Sequence, residues 1–102
     1  MLALPPTGSE LFEQEAHPYF LWWTDCTVGD LHAHLHAEDA EERAYWLGAL
    51  LREANTRDVW VFTTRAQVVA EWPGLLRHLG KARQRWAWLM QLDGTWPPSH
   101  AR

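Results

Sequence analysis

Asp39-Ala-Glu-Glu-Arg-Ala-Tyr-Trp-Leu-Gly-Ala-Leu-Leu-Arg-Glu-Ala-Asn55 is the stretch on which the fold turns. Ala40, Ala44, Leu47, Leu50, Leu51 and Ala54 recur at three- and four-residue spacing, which is one face of an α-helix. Asp39 with Glu42 three residues on is a capping pattern, and Glu41 and Glu42 place negative charge at the positive end of the helix dipole. Asn55 is a suitable C-terminal stop. A helix with one apolar face needs other elements to cover it, and the neighbouring sequence supplies them.

Upstream, Thr27 with Asp30 repeats the capping pattern and starts a helix carrying Val28, Leu31 and Leu35 on one face. Before it, His17-Pro18 breaks any helix, and Tyr19 to Trp23 is a dense aromatic run expected to lie extended across the core. Residues 1–8 read as an unstructured lead-in, with Ser9 capping a short acidic turn from Glu10 to Ala16. Downstream, residues 58–62 mix strand-favouring residues with no partner strand in the chain, which points to a short helix or turn. Thr64 with Gln67 caps a further helix burying Val68, Val69 and Trp72, and Pro73 is expected to end it. A short helix from Leu75 to Leu79 then stops at Gly80. The last helix runs from about Lys81 to Leu92, with Ala82, Trp86, Leu89 and Asp93 on one stripe, and Gly94 and Pro97-Pro98 end it.

The expectation is an all-α bundle of four to five short helices, with Leu47, Leu51, Val69, Trp72, Leu79, Trp86 and Leu89 in its core. Residues 1–16 form the lead-in, 17–94 the helical domain and 95–102 a disordered tail. The length of 102 residues suits one domain with one modest core. Eight tryptophans are more than such a core easily hides, so several are expected at the surface.

A single cysteine, Cys26, excludes an internal disulfide, and the N-terminus lacks the pattern of a secretory signal. No apolar stretch is long enough to span a bilayer. A cytoplasmic protein without membrane contact is expected. Charge is unevenly distributed. Residues 1–42 hold nine acids and no Lys or Arg, whereas residues 43–102 hold nine Lys and Arg and four acids, giving −9 and +5. Either the halves pack with complementary fields, or the basic half meets an acidic partner, or both are ordinary solvated surfaces.

His32-x-His34-x-His36, with Cys26 and Asp30 upstream, is the one run with metal-ligand chemistry. On a strand all three rings would share a face, but on the helix that the capping pattern favours only His32 and His36 do. No metal or other cofactor is expected. Cys26 has no base assigned to it, Glu41 and Glu42 serve a helix start, and no glycine-rich phosphate loop is present, so no catalytic residue is named and no enzyme is expected. The basic stretch Arg77, Lys81, Arg83 and Arg85 interleaves with Trp86 and Trp88. Arginine with aromatics suits a protein interface and also nucleic acid. Trp88 lies off the Trp86 stripe, so Arg83, Arg85 and Trp88 are the candidate contacts.

Phe20-Leu-Trp-Trp-Thr-Asp25, then Trp46-Leu47 and Leu50-Leu-Arg-Glu53, then Asp58-Val-Trp60, and finally Arg83-Gln-Arg-Trp-Ala-Trp-Leu89 form an order of motifs. This order resembles short, uncharacterised bacterial helical proteins encoded beside nucleotidyltransferase-fold proteins of toxin–antitoxin or abortive-infection type. The likeness spans about three-quarters of the chain. The chain departs from it in the doubled Trp22-Trp23 and in the histidine run. The resemblance implies a partner-binding protein, antitoxin-like or an accessory subunit, whose partner has the nucleotidyltransferase fold. It implies no catalytic residue.

Overall fold

The capping signals start the helices where the sequence places them. A computed structural model describes residues 9–90. It contains a 3-10 turn Ser9–Phe12, helices α1 (Val28–Leu35), α2 (Ala40–Glu53), α3 (Thr56–Phe62) and α4 (Arg65–Leu75), a second 3-10 turn Leu76–His78, and α5 (Ala82–Met90). The fold is all-α, with five helices among the described residues. The expected tail 95–102, the stop at Gly94, and Leu92 and Asp93 lie outside them.

Thr27 and Asp30 make a full capping box: Thr27 Oγ1 accepts from the Asp30 N–H, and Asp30 accepts from the Thr27 N–H, both at 3.1 Å. The Thr27 backbone N–H, and after it the Thr27 side chain, hold the Asp30 carboxyl below its ordinary range. Asp39 accepts from the Glu41 N–H at 3.2 Å, and Thr64 accepts from the Gln67 N–H at 3.1 Å. Glu42 and Gln67 do not complete boxes of their own. Glu42 pairs with His34, and the Gln67 amide donates to the Leu35 carbonyl at 3.0 Å, tying α4 to the end of α1.

Helix α2 is the element on which the others assemble, packing against α1, α3, α4, α5 and the second 3-10 turn. Leu47, Leu50 and Leu51 are wholly buried. They meet Val28, Leu31 and Leu35 of α1, Val59 and Phe62 of α3, Val68, Trp72 and Leu75 of α4, and Ala82, Trp86, Ala87 and Met90 of α5 in one cluster. Gly48 permits the closest approach. A Cβ there would lie 2.5 Å from His78 Cβ, so the second 3-10 turn sits almost directly on the α2 backbone.

The end of α2 departs from expectation. Ala54 is the cap, and Asn55 instead opens α3 with extended backbone (φ −61°, ψ 145°). The polar groups that another helical turn would have joined are taken by side chains. Trp86 Nε1 donates to the Leu51 carbonyl at 2.7 Å, and the Asn55 N–H donates to Tyr19 Oη at 2.8 Å. Tyr19 Oη in turn donates to Asp58 at 2.6 Å. Burying Asp58 completely is tolerable because such hydrogen bonds replace water.

Other expectations are corrected. Tyr19 to Trp23 is not extended. Turns closed by Leu21 N–H to the Pro18 carbonyl and Thr24 N–H to the Leu21 carbonyl drop Phe20 and Leu21 into the core and turn Trp22 outward. Pro73 does not end its helix. It sits inside α4 near the C-terminal end, where proline withholds one bond from the ladder, and both it and Val69 four residues earlier are exposed. The piece after it is the 3-10 turn Leu76–His78 rather than a helix to Leu79. Residues 9–16, read as lead-in, pack onto the domain: Leu11 is in the core, and the carbonyls of Gln14 and Ala16 accept from the N–H groups of Gly29 and Val28.

Candidate interaction surface

Two of the expected core residues are not in the core: Val69 is 37% and Leu89 44% exposed. In α4 the buried set is Val68, Trp72 and Leu75, which turns Val69 outward. In α5 it is Ala82, Trp86, Ala87 and Met90. The Trp86 indole, anchored on the Leu51 carbonyl, selects that face, so Met90 rather than Leu89 continues the stripe.

The three candidate contacts are among the exposed side chains of α5: Arg85 and Trp88 lie on the side away from the core, and Arg83 lies in the first turn. Arg83 and Arg85 are exposed, and Trp88 is 52% exposed. Gly80, with φ +53°, makes the left-handed turn that starts this helix away from the preceding chain. Beside it Gly80, Lys81, Arg83 and Gln84 line a shallow depression of about 680 Å³.

An apolar groove of about 340 Å³ lies between α3 and α5, lined by Thr56, Trp60, Arg65, Trp86, Leu89 and Met90. Trp60 packs edge-on against Trp86, with centroids 5.8 Å apart. Arg65 spans one end, donating to the Met90 carbonyl at 2.9 Å. Sequence reasoning missed this groove. Trp60 fell in the stretch of ambiguous structure and Leu89 was assigned to the core. The adjacency of α3 and α5 is a tertiary contact with no local signal.

Few ion pairs of the described residues join the acidic half of the chain to the basic half. Among the described residues, only the pairs of Glu41 with Arg77 and His78 join the acidic half to the basic half. Arg43 pairs with Glu71 and Arg52 with Glu53, both within the basic half. Arg57, Arg65, Lys81, Arg83 and Arg85 make no ion pair with any described carboxylate. Glu10, Glu13, Glu15, Asp25 and Glu38 likewise have no cationic partner there. Complementary packing of the halves thus accounts for little of the asymmetry. Exposed charges of both signs remain without a described partner.

The histidine run forms no metal-binding group of three or more His, Cys, Asp or Glu side chains among the described residues. Each ring has its own neighbour. His34 stacks on Trp46 at 4.3 Å and pairs with Glu42 at 2.7 Å, His36 Nδ1 reaches the His32 carbonyl at 2.9 Å, and His32 lies 5.0 Å from the Phe62 ring. Burial, and then the nearby Asp30 charge, push the Cys26 thiol up to about 11, so it stays protonated at neutral pH and is a poor nucleophile. No helix of the described residues is long and apolar enough to cross a membrane.

Comparison with known protein families, with characterised proteins and with solved structures found no match to this chain.

Proposed function

We propose that this all-α chain, with no matching family to assign it a reaction, is a non-enzymatic interaction domain. It meets a protein partner through the outward face of α5. Arg83, Arg85 and Trp88 make the contact. The observation that carries the reading is the division of α5 into side chains committed to the core and exposed ones that include the Trp88 indole with Arg83 and Arg85, which pair with no described carboxylate. Tryptophan and arginine dominate the binding energy of protein interfaces, and an exposed indole gains most from being covered. In keeping with the resemblance of its motif order, the partner is a nucleotidyltransferase-fold protein. The chain acts as its antitoxin-like or accessory subunit in the cytoplasm.

The test is capture of partners from source cells with tagged wild-type and Trp88→Ala protein, read by mass spectrometry. A stoichiometric partner held by wild type and lost by Trp88→Ala, at an unchanged melting temperature, supports the reading. A Trp88→Ala protein that melts several degrees lower and still holds the partner refutes the assignment of Trp88.

The five cations without a carboxylate partner among the described residues favour a second reading, binding of nucleic acid. Its signature is affinity for a single-stranded oligonucleotide that falls steeply with salt, as neutralised phosphates release counterions. No binding at low salt removes this alternative.

A further inference from the structure

We infer that the groove between α3 and α5 receives the acidic, tryptophan-bearing turn at residues 21–25 of a second copy of this chain. Trp60 and Leu89, 42% and 44% exposed, form its walls, and the buried Trp86 and Met90 lie beneath them. Its volume falls in the range of small-ligand pockets, about 300–1,000 Å³, which leaves room for one indole. Arg65 stands on its rim. Arg57 lies three residues before Trp60 and Arg85 four before Leu89, so each shares a helix face with a groove wall. An occupant that fits inserts a flat apolar group and surrounds it with carboxylates.

The chain displays such a group. Trp22 is 72% exposed, more than any other large apolar side chain described, and stands edge-on to Trp23 with centroids 5.5 Å apart. Trp23 is partly buried against the core, with the Arg52 guanidinium 5.9 Å from its ring, so it forms a firm base. Asp25 lies three residues after Trp22. His17 Nε2 bonds to the Thr24 carbonyl at 2.5 Å, which brings the segment of Glu13 and Glu15 alongside. These three carboxylates are exposed and have no cationic partner among the described residues. Knob and groove are thus complementary in shape class and in charge. Trp22 and the groove walls Trp60 and Leu89 are exposed, and opposite potentials fix register as they meet.

Sedimentation of the full chain tests this. Wild type at about 100 µM sediments above the monomer mass in low salt and shifts toward monomer at about 500 mM salt, where surface charges are screened. Trp22→Ala and Trp60→Ala each weaken self-association at least about tenfold, the loss expected for a central aromatic anchor. Mixing the two variants restores association, because Trp22→Ala keeps an intact groove and Trp60→Ala an intact knob. Arg57→Glu weakens association at an exposed side chain away from the core, which serves should Trp60→Ala fold poorly. A monomeric wild type, an unaffected single variant, or a mixture no heavier than its components overturns the proposal. The occupant is this chain, so the outcome does not depend on whether α5 meets another protein.

Discussion

Replacing Gly48 by alanine sets two effects of known sign against each other. In a helix interior the change is worth about 0.8–1.0 kcal/mol in favour of alanine. The added Cβ, however, would lie 2.5 Å from His78 Cβ and 3.3 Å from the His78 carbonyl oxygen. Carbon atoms in contact sit about 3.5–4.0 Å apart, so α2 and the second 3-10 turn must part by roughly 1 Å. Neither contact is the end of a flexible side chain, so the backbone has to move. The same seam holds the bond from Arg52 Nη1 to the His78 carbonyl at 2.7 Å, which an opening of that size stretches beyond useful range. Overpacking of this kind costs about 1–3 kcal/mol, and a weakened hydrogen bond from a charged donor adds to it. The net loss is about 1–3 kcal/mol, or a fall in melting temperature of roughly 5–20 °C for a domain of this size. Thermal unfolding followed by far-UV circular dichroism measures it. Gly74→Ala is the control: its Cβ meets only Ala44 Cβ, at an ordinary 3.6 Å, so the propensity gain stands alone and melting rises slightly. A Gly48→Ala protein as stable as Gly74→Ala would refute the close approach of α2 and the turn.

Trp86→Phe keeps a buried aromatic but removes the donor to the Leu51 carbonyl, so stability in urea should fall by about 1–3 kcal/mol, the penalty for an unsatisfied buried acceptor. An unchanged midpoint would show that water reaches that carbonyl. The His32 imidazole is held below its ordinary 6.5 by burial and then by His36. That of His78 is lowered by burial, then Arg77, then Arg52. The folded state therefore favours both neutral rings. Their contribution to stability is complete above pH 6.5 and is lost as pH falls through that value toward the lowered ones. Melting temperatures across pH 5 to 8 should decline on the acid side, and less so in His32→Gln. An equal decline in both would exclude His32 as a source.

What the sequence discloses depends on how local the signal is. Thr27 with Asp30, and Thr64 before Gln67, are legible because a cap acts within one turn. The α2 stripe is legible because its leucines repeat along the helix. The face of α5 was misjudged because Trp86 can continue to Leu89 or to Met90 with equal periodicity. The choice is made by the Leu51 carbonyl, 35 residues earlier in the chain. Pro73 misled because a proline near a helix end withholds only one bond from the ladder. The exposure of Trp88 was legible because it lies off the Trp86 stripe, and that of Arg83 and Arg85 because arginine seldom buries its charge. The groove was invisible, since it exists only where α3 and α5 meet.

The junction after α2 has a consequence for how the domain comes apart. Tyr19 and Trp86, from the two sides of the described chain, take the Asn55 N–H and the Leu51 carbonyl, the two groups that the break between α2 and α3 leaves without each other. Neither end can peel away without exposing polar backbone that the break leaves to it. Fraying, which usually starts at chain ends, is here coupled to the middle. The domain accordingly has few partly open forms to visit, and the slowest-exchanging amides should be those of α2, released only when the whole domain unfolds.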